Sequence, residues 1–479
     1  MVFSSFAFLF GLLPATLAGY HGCRMQGWAL AAKTVLITAS LVFYAWSSLV
    51  FLPLVLGSVA VNYALGALLH RRGGRALFWL GIAFNLGLLG WFKYSTFLGA
   101  NLAWVAGQSF FVHAVVLPLA ISFFTFQQVA YLVEIRRGAV PARSPVDYAL
   151  FILFFPHLVA GPITHHTEML PQFARAGRGP IDRKQVMMGV CILIIGLAKK
   201  TLLADPLATI ADPVFAAAAV AGGAVTAVQA WQGALAYTFQ LYFDFSGYSD
   251  MAIGLGLLFG VRLPVNFASP YRAGSMIEFW RRWHITLGRF LRAYVYIPLG
   301  GNRHGPLRRH ANLLATMLLG GFWHGAGWNF IAWGGLHGAC LVINHLWRGA
   351  VGEARDPYAR LASWAVTFLA VVVGWVLFRS ASIAAAGTML AAMAGVGMGA
   401  GMGEALAMPG PLITGGLLAG AAAIAGLSPD LLSVTGHGDG VPRWPAWLRP
   451  GATAAGLGVV AALCVARLPN PGVFLYFNF

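Results

Sequence analysis

The sequence predicts an all-α, polytopic membrane protein, and three observations carry that prediction. Charged residues make up 9% of the chain and hydrophobic ones 59%, whereas a soluble protein carries about 25% charged residues. Mean hydropathy is +0.74. The apolar runs are spread from end to end and show none of the alternation of a half-buried strand. Only helices and closed barrels satisfy their backbone inside lipid, so long runs without alternation mean helices. They are expected to form a single membrane domain over residues 1–479.

Taken in order, spans are expected near residues 2–20, 28–46, 48–69, 76–98, 112–134, 147–163, 186–204, 225–243, 246–260, 311–330, 331–347, 360–378, 383–398, 408–427 and 450–467. Several are too short or too glycine-rich to cross alone, which leaves about 11 to 13 crossings with re-entrant pieces among them. The first run has no basic leader, and Thr16-Leu17-Ala18 is a poor cleavage site, so it reads as a retained helix. Arg71-Arg72-Gly73-Gly74-Arg75 and Arg136-Arg137 bracket two spans, and Arg175, Arg178, Arg183 and Lys184 form a further basic loop. Such loops favour the cytoplasmic side. Lys199-Lys200 follows too closely for a full crossing, which predicts a short dipping helix. Beyond Ser380 the chain reads as packing helices rich in Gly, Ala and Met, apart from a polar loop at Ser428–Arg449.

The net charge of +17, from 31 basic and 14 acidic residues, would suggest nucleic acid in a soluble protein. Here the basic residues lie between apolar runs and mark loops, so the expected partner is the lipid bilayer and no nucleic acid. Cys23, Cys191, Cys340 and Cys464 fit no metal or redox spacing, and no metal is expected. Neither a Gly-x-Gly-x-x-Gly nor a P-loop pattern occurs, which disfavours ATP hydrolysis.

Val261–Arg309 stands apart. Nine arginines face one acid, Glu278, with Phe279, Trp280, Trp283, Phe290, Tyr294 and Tyr296 interleaved. That density describes amphipathic helices at the cytoplasmic interface. Two roles stay open: anchoring at the membrane surface, or reception of an anionic, phosphate-bearing substrate by guanidinium groups.

Chemistry concentrates on histidine. His324 lies inside an apolar stretch with no acid anywhere between Glu278 and Glu353. Ionisable groups at membrane depth are costly, and a neutral imidazole suits general-base work. Gly320, Gly321, Gly325 and Gly327 flank it, which fits an open slot beside the ring; a histidine hydrogen-bonded within a packed bundle is the other reading. His337 follows thirteen residues later. On a continuous helix that is about 20 Å of rise on a different face, so it shares no site with His324 unless the chain breaks at Gly325 to Asn329, and it reads as structural. His284, forty residues earlier in the basic segment, suits the mouth of a tunnel leading to His324. Asp244 and Asp250 need partners in an apolar region, with the interfacial arginines as candidates; a structural ion pair is the first reading and a catalytic role the second.

Several stretches resemble the membrane-bound O-acyltransferase family, and within it the bacterial alginate O-acetylase branch. They are Ser122–Gln127, Phe155–Ile163, Phe243–Asp250, Phe279–Leu287, Phe322–Gly325 through Trp333–Gly338, Trp375–Arg379 and the terminal Phe474–Phe479. They run in order along nearly the whole chain. The resemblance implies a bundle of many helices around a tunnel, with the acyl donor entering from the cytoplasm. It implies that His324 is the essential histidine and that His284 stands where eukaryotic relatives carry Asn or Asp. The implied chemistry is transfer of an acetyl group from a thioester, acetyl-CoA, to a hydroxyl of an extracytoplasmic polysaccharide or of a partner protein, in a bacterial inner membrane. Trp323, Trp283, Arg281 and Arg282 are then the expected substrate contacts, and periplasmic acetyl-transfer proteins the expected partners. Two rivals remain: a secondary transporter, which would show an internal repeat that the motifs lack, and a catalytically silent scaffold.

Overall fold

A computed structural model describes residues 1–107, 115–142, 144–220, 223, 225–352, 356–396, 406–429, 450–468 and 475, with backbone alone at 450–453. The expected polar loop after Ser428 and most of the terminal motif lie outside these residues. Every regular element among the described residues is a helix. Four helical runs are long and apolar enough to cross a membrane: Ala29–Arg72, Arg75–Ala106, Arg183–Ala219 and Pro357–Arg379. The chain is thus an all-α, polytopic membrane protein. It packs as two compact units, Met1–Leu197 with Tyr248–Pro264, and Ala198–Gly247 with Val265–Phe479.

The first unit contains α1 (Leu13–Met25), α2 (Ala29–Ser48), α3 (Leu52–Arg72), α4 (Arg75–Leu89), α5 (Ser95–Ala106), α6 (Ile121–Arg136), α7 (Pro145–Leu153), α8 (Phe155–Leu158) and α9 (His166–Arg175). Prolines open α1, α3 and α7 in the first turn, where the missing N–H costs nothing. Its interior is polar as well as apolar. Asn62 and Asn85 exchange side-chain hydrogen bonds at 3.1 and 2.7 Å, and the Gln128 carbonyl accepts from Asn62 at 3.0 Å and Ser58 at 2.8 Å. These bonds tie α3, α4 and α6 together where lipid would offer no partner. Lys33 meets Asp147 at 2.7 Å, joining α2 to α7.

Arg183–Ala219 is one helical run, α10 (Arg183–Ala198), a wider turn at Lys199–Ala204 and α11 (Asp205–Ala219). The expected short dip at Lys199-Lys200 is therefore not formed. Lys200 continues the helix because its charge is neutralised inside the second unit, by Asp205 at 2.8 Å and Asp244 at 2.7 Å. That pairing also corrects the expectation for Asp244, whose partners are a lysine and the Leu475 N–H at 3.0 Å, not arginines.

The second unit continues with most of α12 (Ala227–Leu258), then α13 (Met276–Arg282), α14 (Ile285–Leu291), α15 (Gly305–His324), α16 (Trp328–Ala350), α17 (Pro357–Arg379), α18 (Ile383–Met393), α19 (Pro411–Leu427) and α20 (Pro450–Arg467). The helix expected over 311–330 stops earlier, at His324, and the next begins at Trp328. Gly325 and Gly327 are extended there and fold α15 back along α16. A Cβ on Gly321 would lie 2.3 Å from the Phe330 carbonyl oxygen, and one on Gly334 2.4 Å from that of Met317. Glycine at both positions is what lets the two backbones touch.

Candidate active site

The stretch before α13 runs beside the segment that precedes α14. Ala268 N donates to the Arg282 carbonyl at 2.9 Å and Ile285 N to that of Asn266 at 2.9 Å. Between those two bonds sits His284, with no exposed surface and a left-handed backbone at φ 44° and ψ 52°. Side chains other than glycine, Asn and Asp seldom adopt this conformation, and it costs of order 1–3 kcal/mol. The strain is held by Asn266. Its Oδ1 accepts from the Thr286 N–H at 3.2 Å and the Thr286 hydroxyl at 2.9 Å, and meets His284 Nδ1 at 3.1 Å. An oxygen that accepts from a backbone N–H is an acceptor towards the imidazole too, so Nδ1 carries the proton and Nε2 keeps its lone pair. No hydrogen-bond partner meets that buried Nε2 among the described residues. Burial pushes the imidazole pKa down to about 3, because a charged ring would lose its hydration, so the ring is neutral at physiological pH.

His324 ends α15 and is 3% exposed. Its ring lies 6.3 Å from that of His284, centroid to centroid. Trp323 at 4.9 Å, Trp333 at 5.2 Å and Phe378 at 5.3 Å complete an aromatic wall around it. The structure therefore sets His284 directly against His324, instead of at a distant mouth. The glycines beside His324 open no slot. The space beside Gly325 is taken by the Phe330 ring, which a Cβ there would meet at 2.1 Å, and that beside Gly321 by α16.

His337 is also buried, in a box of Trp333, Trp280, Trp375 and Phe279 at 4.8, 5.4, 6.0 and 6.1 Å. The break at Gly325 to Gly327 makes α15 and α16 neighbours, so Trp333 touches both His324 and His337. A single helix would have kept them apart.

The four expected substrate contacts divide. Arg281 lines an open cleft of about 860 Å³, together with Trp280, Arg289, Arg292, Arg303 and Arg309, and no carboxylate reaches its walls. Arg309 is steadied by donating to His345 Nδ1 at 2.7 Å. Arg282 is absent from that lining; it pairs with Glu278 at 2.7 Å and donates to the Ala268 carbonyl at 3.2 Å. Trp283 is 1% exposed, wedged between Trp375 at 4.7 Å and Phe267 at 5.0 Å. Trp323 stays beside His324. The aromatics of the basic segment thus divide as its arginines do, with Phe279 and Trp283 buried in protein and not spread on a membrane surface. Trp280 connects the two zones: it lines the cleft and its ring stands 5.8 Å from Trp333, which edges His324. Sequence reasoning passed over Asn266; an isolated amide between Val265 and Phe267 was the available signal.

The guanidinium cleft can hold an anion, and His284, neutral and buried beside His324, can accept a proton at Nε2. No cluster of three or more His, Cys, Asp or Glu able to hold a metal ion occurs among the described residues.

Comparison with known proteins bears on what that arrangement does. The chain is 41% identical over 428 residues to a peptidoglycan O-acetyltransferase of Helicobacter pylori, covering 83% of this chain and 80% of that one. It is 44% identical over 406 residues to a probable alginate O-acetylase of Pseudomonas syringae pv. tomato, covering 82% and 75%. A teichoic acid D-alanyltransferase of Streptococcus thermophilus is 31% identical over 236 residues, 48% of this chain and 57% of that one. Residues 74–385, which include both histidines and the arginine cleft, match the membrane-bound O-acyltransferase family, and the chain is a membrane-bound acyltransferase belonging to it.

Proposed function

We propose that the protein transfers an acetyl group from acetyl-CoA to a hydroxyl of an extracytoplasmic polysaccharide, in a bacterial inner membrane, with His324 as general base. The observation that carries this reading is the pairing of two buried histidines, 6.3 Å apart, next to a cleft walled by five arginines and no acid. Arginine forks match phosphate oxygens, so Arg281, Arg292 and their neighbours would hold the nucleotide phosphates of the donor. A volume of about 860 Å³ lies in the range of small-molecule sites, about 300–1,000 Å³.

His324 accepts the proton of the acceptor hydroxyl as its oxygen attacks the thioester carbonyl. The C–O bond forms, the C–S bond breaks, and the imidazolium returns the proton to the departing thiolate. His284 keeps its Nε2 lone pair in the same place and receives a hydrogen bond from the hydroxyl, which orients the attack. The dry aromatic wall limits hydrolysis of the thioester. Relatives named for peptidoglycan and alginate acetylation support acetyl as the group and a glycan as the acceptor; a periplasmic partner protein that takes the acetyl group onward is compatible with the same step.

The test is acetyl transfer from labelled acetyl-CoA by membranes carrying His324→Gln. Loss of transfer at unchanged membrane abundance is expected, and normal transfer would overturn the assignment. Arg281→Gln with Arg292→Gln should raise the KM for acetyl-CoA about tenfold or more with little change in kcat, as expected for lost ground-state binding.

A further inference from the structure

The first unit holds a second arginine cluster, which the acyl-transfer site does not use. A pocket of about 280 Å³ is lined by Arg24, Arg175, Arg178 and Arg262, again with no acid in its walls. Its frame is built by hydrogen bonds, those of Tyr20 buried and the others at the surface. Tyr20, 1% exposed, accepts from Gly177 N–H at 3.0 Å and donates to the Phe259 carbonyl at 2.9 Å. Gln172 and Arg262 exchange bonds between side-chain amide and backbone at 3.2 and 2.8 Å. Arg24 is fixed by donating through Nε to the Gly179 carbonyl at 3.0 Å and through Nη2 to that of Pro180. None of the four guanidinium groups has a carboxylate partner among the described residues.

A separate apolar groove of about 800 Å³ runs between α1 and α2, from Leu12 and Val42 to Leu30 and Ala31. Groove and pocket share one face of one helix. Leu12 and Thr16 line the groove, Tyr20 and Arg24 the pocket, and residues four apart lie above one another on a helix. The pocket also lies beside the start of α2, where a Cβ on Gly177 would be 3.1 Å from the Ala29 carbonyl oxygen, one residue before the groove's Leu30. Along α2 the groove spans Leu30 to Val42, about 18 Å of rise, against about 15 Å for one leaflet of hydrocarbon.

An anionic head above an acyl chain the length of one leaflet fits both features at once. We propose that this unit binds an anionic phospholipid, its phosphate on Arg24, Arg175, Arg178 and Arg262 and an acyl chain between α1 and α2. The charge complementarity selects the head, and the continuous face from Thr16 to Arg24 selects a molecule with a tail over a free phosphate. By the distribution of basic loops the site faces the cytoplasmic leaflet.

The full-length protein, purified and reconstituted in nanodiscs, is tested for retention of phosphatidylglycerol against phosphatidylcholine by native mass spectrometry. Arg24→Gln with Arg178→Gln and Arg262→Gln should weaken phosphatidylglycerol retention about 100-fold, from three neutralised contacts, while Arg71→Gln with Arg72→Gln and Arg75→Gln changes it less than about twofold. Ala31→Phe, which fills the groove and leaves every arginine in place, should also release phosphatidylglycerol. Equal losses from the two arginine triples would overturn the proposal in favour of general surface attraction. Retention unaffected by Ala31→Phe, or displacement of the lipid by inorganic phosphate or coenzyme A, would overturn it in favour of a site for soluble phosphates.

Discussion

Two buried polar clusters, one in each unit, are held in opposite ways. In the first, Ser58, Asn62, Asn85 and Gln128 bond to one another across three helices, and the result is a lock on helix register. In the second, His284 and His337 are as deeply buried, yet His284 Nε2 and both nitrogens of His337 meet no hydrogen-bond partner among the described residues, and His284 is held in a strained backbone. An amide pair that satisfies itself, as Asn62 and Asn85 do, has nothing left for a substrate. A histidine kept neutral, oriented on one side by Asn266 and open on the other has a lone pair to offer. Neither burial nor an unpaired nitrogen is enough by itself, since His166 of the first unit is as buried and as unpaired as His337; what marks His284 is a fixed acceptor on one ring nitrogen and a second histidine beside the ring.

That contrast can be broken, and the largest test is on the chemical side. His324→Ala should cut acyl transfer by about 10²–10⁴-fold, the span of general-base contributions, with little change in melting temperature; a normal rate with a lowered melting temperature would move His324 to the structural class. His284→Ala should cost about 10–100-fold, on the same scale. His284→Asn, whose residue type tolerates the left-handed backbone, should retain more activity than His284→Ala; if the two are equal, only the imidazole ring matters at this position.

On the structural side, Asn85→Ala leaves the buried Asn62 amide short of its partner, which should destabilise the fold by about 1–3 kcal/mol. Its activity per folded molecule should stay at the parent value, as read by thermal unfolding alongside labelled transfer. A kcat defect without a stability change would erase the distinction between the clusters.

The smallest effect is on pH dependence. His284 titrates near 6.5 when unfolded and at about 3 when folded. A depressed pKa contributes stability above the unfolded value that is lost as pH falls towards the folded one. Resistance to unfolding should therefore decline as pH falls below about 6.5, and His284→Asn should flatten that slope.

The helical membrane fold was legible because hydropathy depends on composition, and composition is in the sequence. The pairing of His284 with His324 was legible only as an ordered set of motifs, since forty intervening residues give no geometry by themselves. What stayed hidden were contacts set by packing. Nothing about Lys200 announces that Asp205 and Asp244 will neutralise it and let a helix run on. Arg281 and Arg282 are neighbours of one type, and only the turn of α13 sends one to the cleft and the other to Glu278. Glycines near His324 could mean open space or close contact with equal logic, and packing chose contact.

That contact between α15 and α16 has a consequence for protein engineering. With no room for a methyl group at Gly321 or Gly334, the hairpin is a rigid caliper that fixes the reach from Trp333 to His324. Chimaeras that aim at a new acceptor should carry residues 305–350 across as an intact cassette and exchange sequence outside it, because a single alanine at either glycine would reset the caliper before any new specificity could be read.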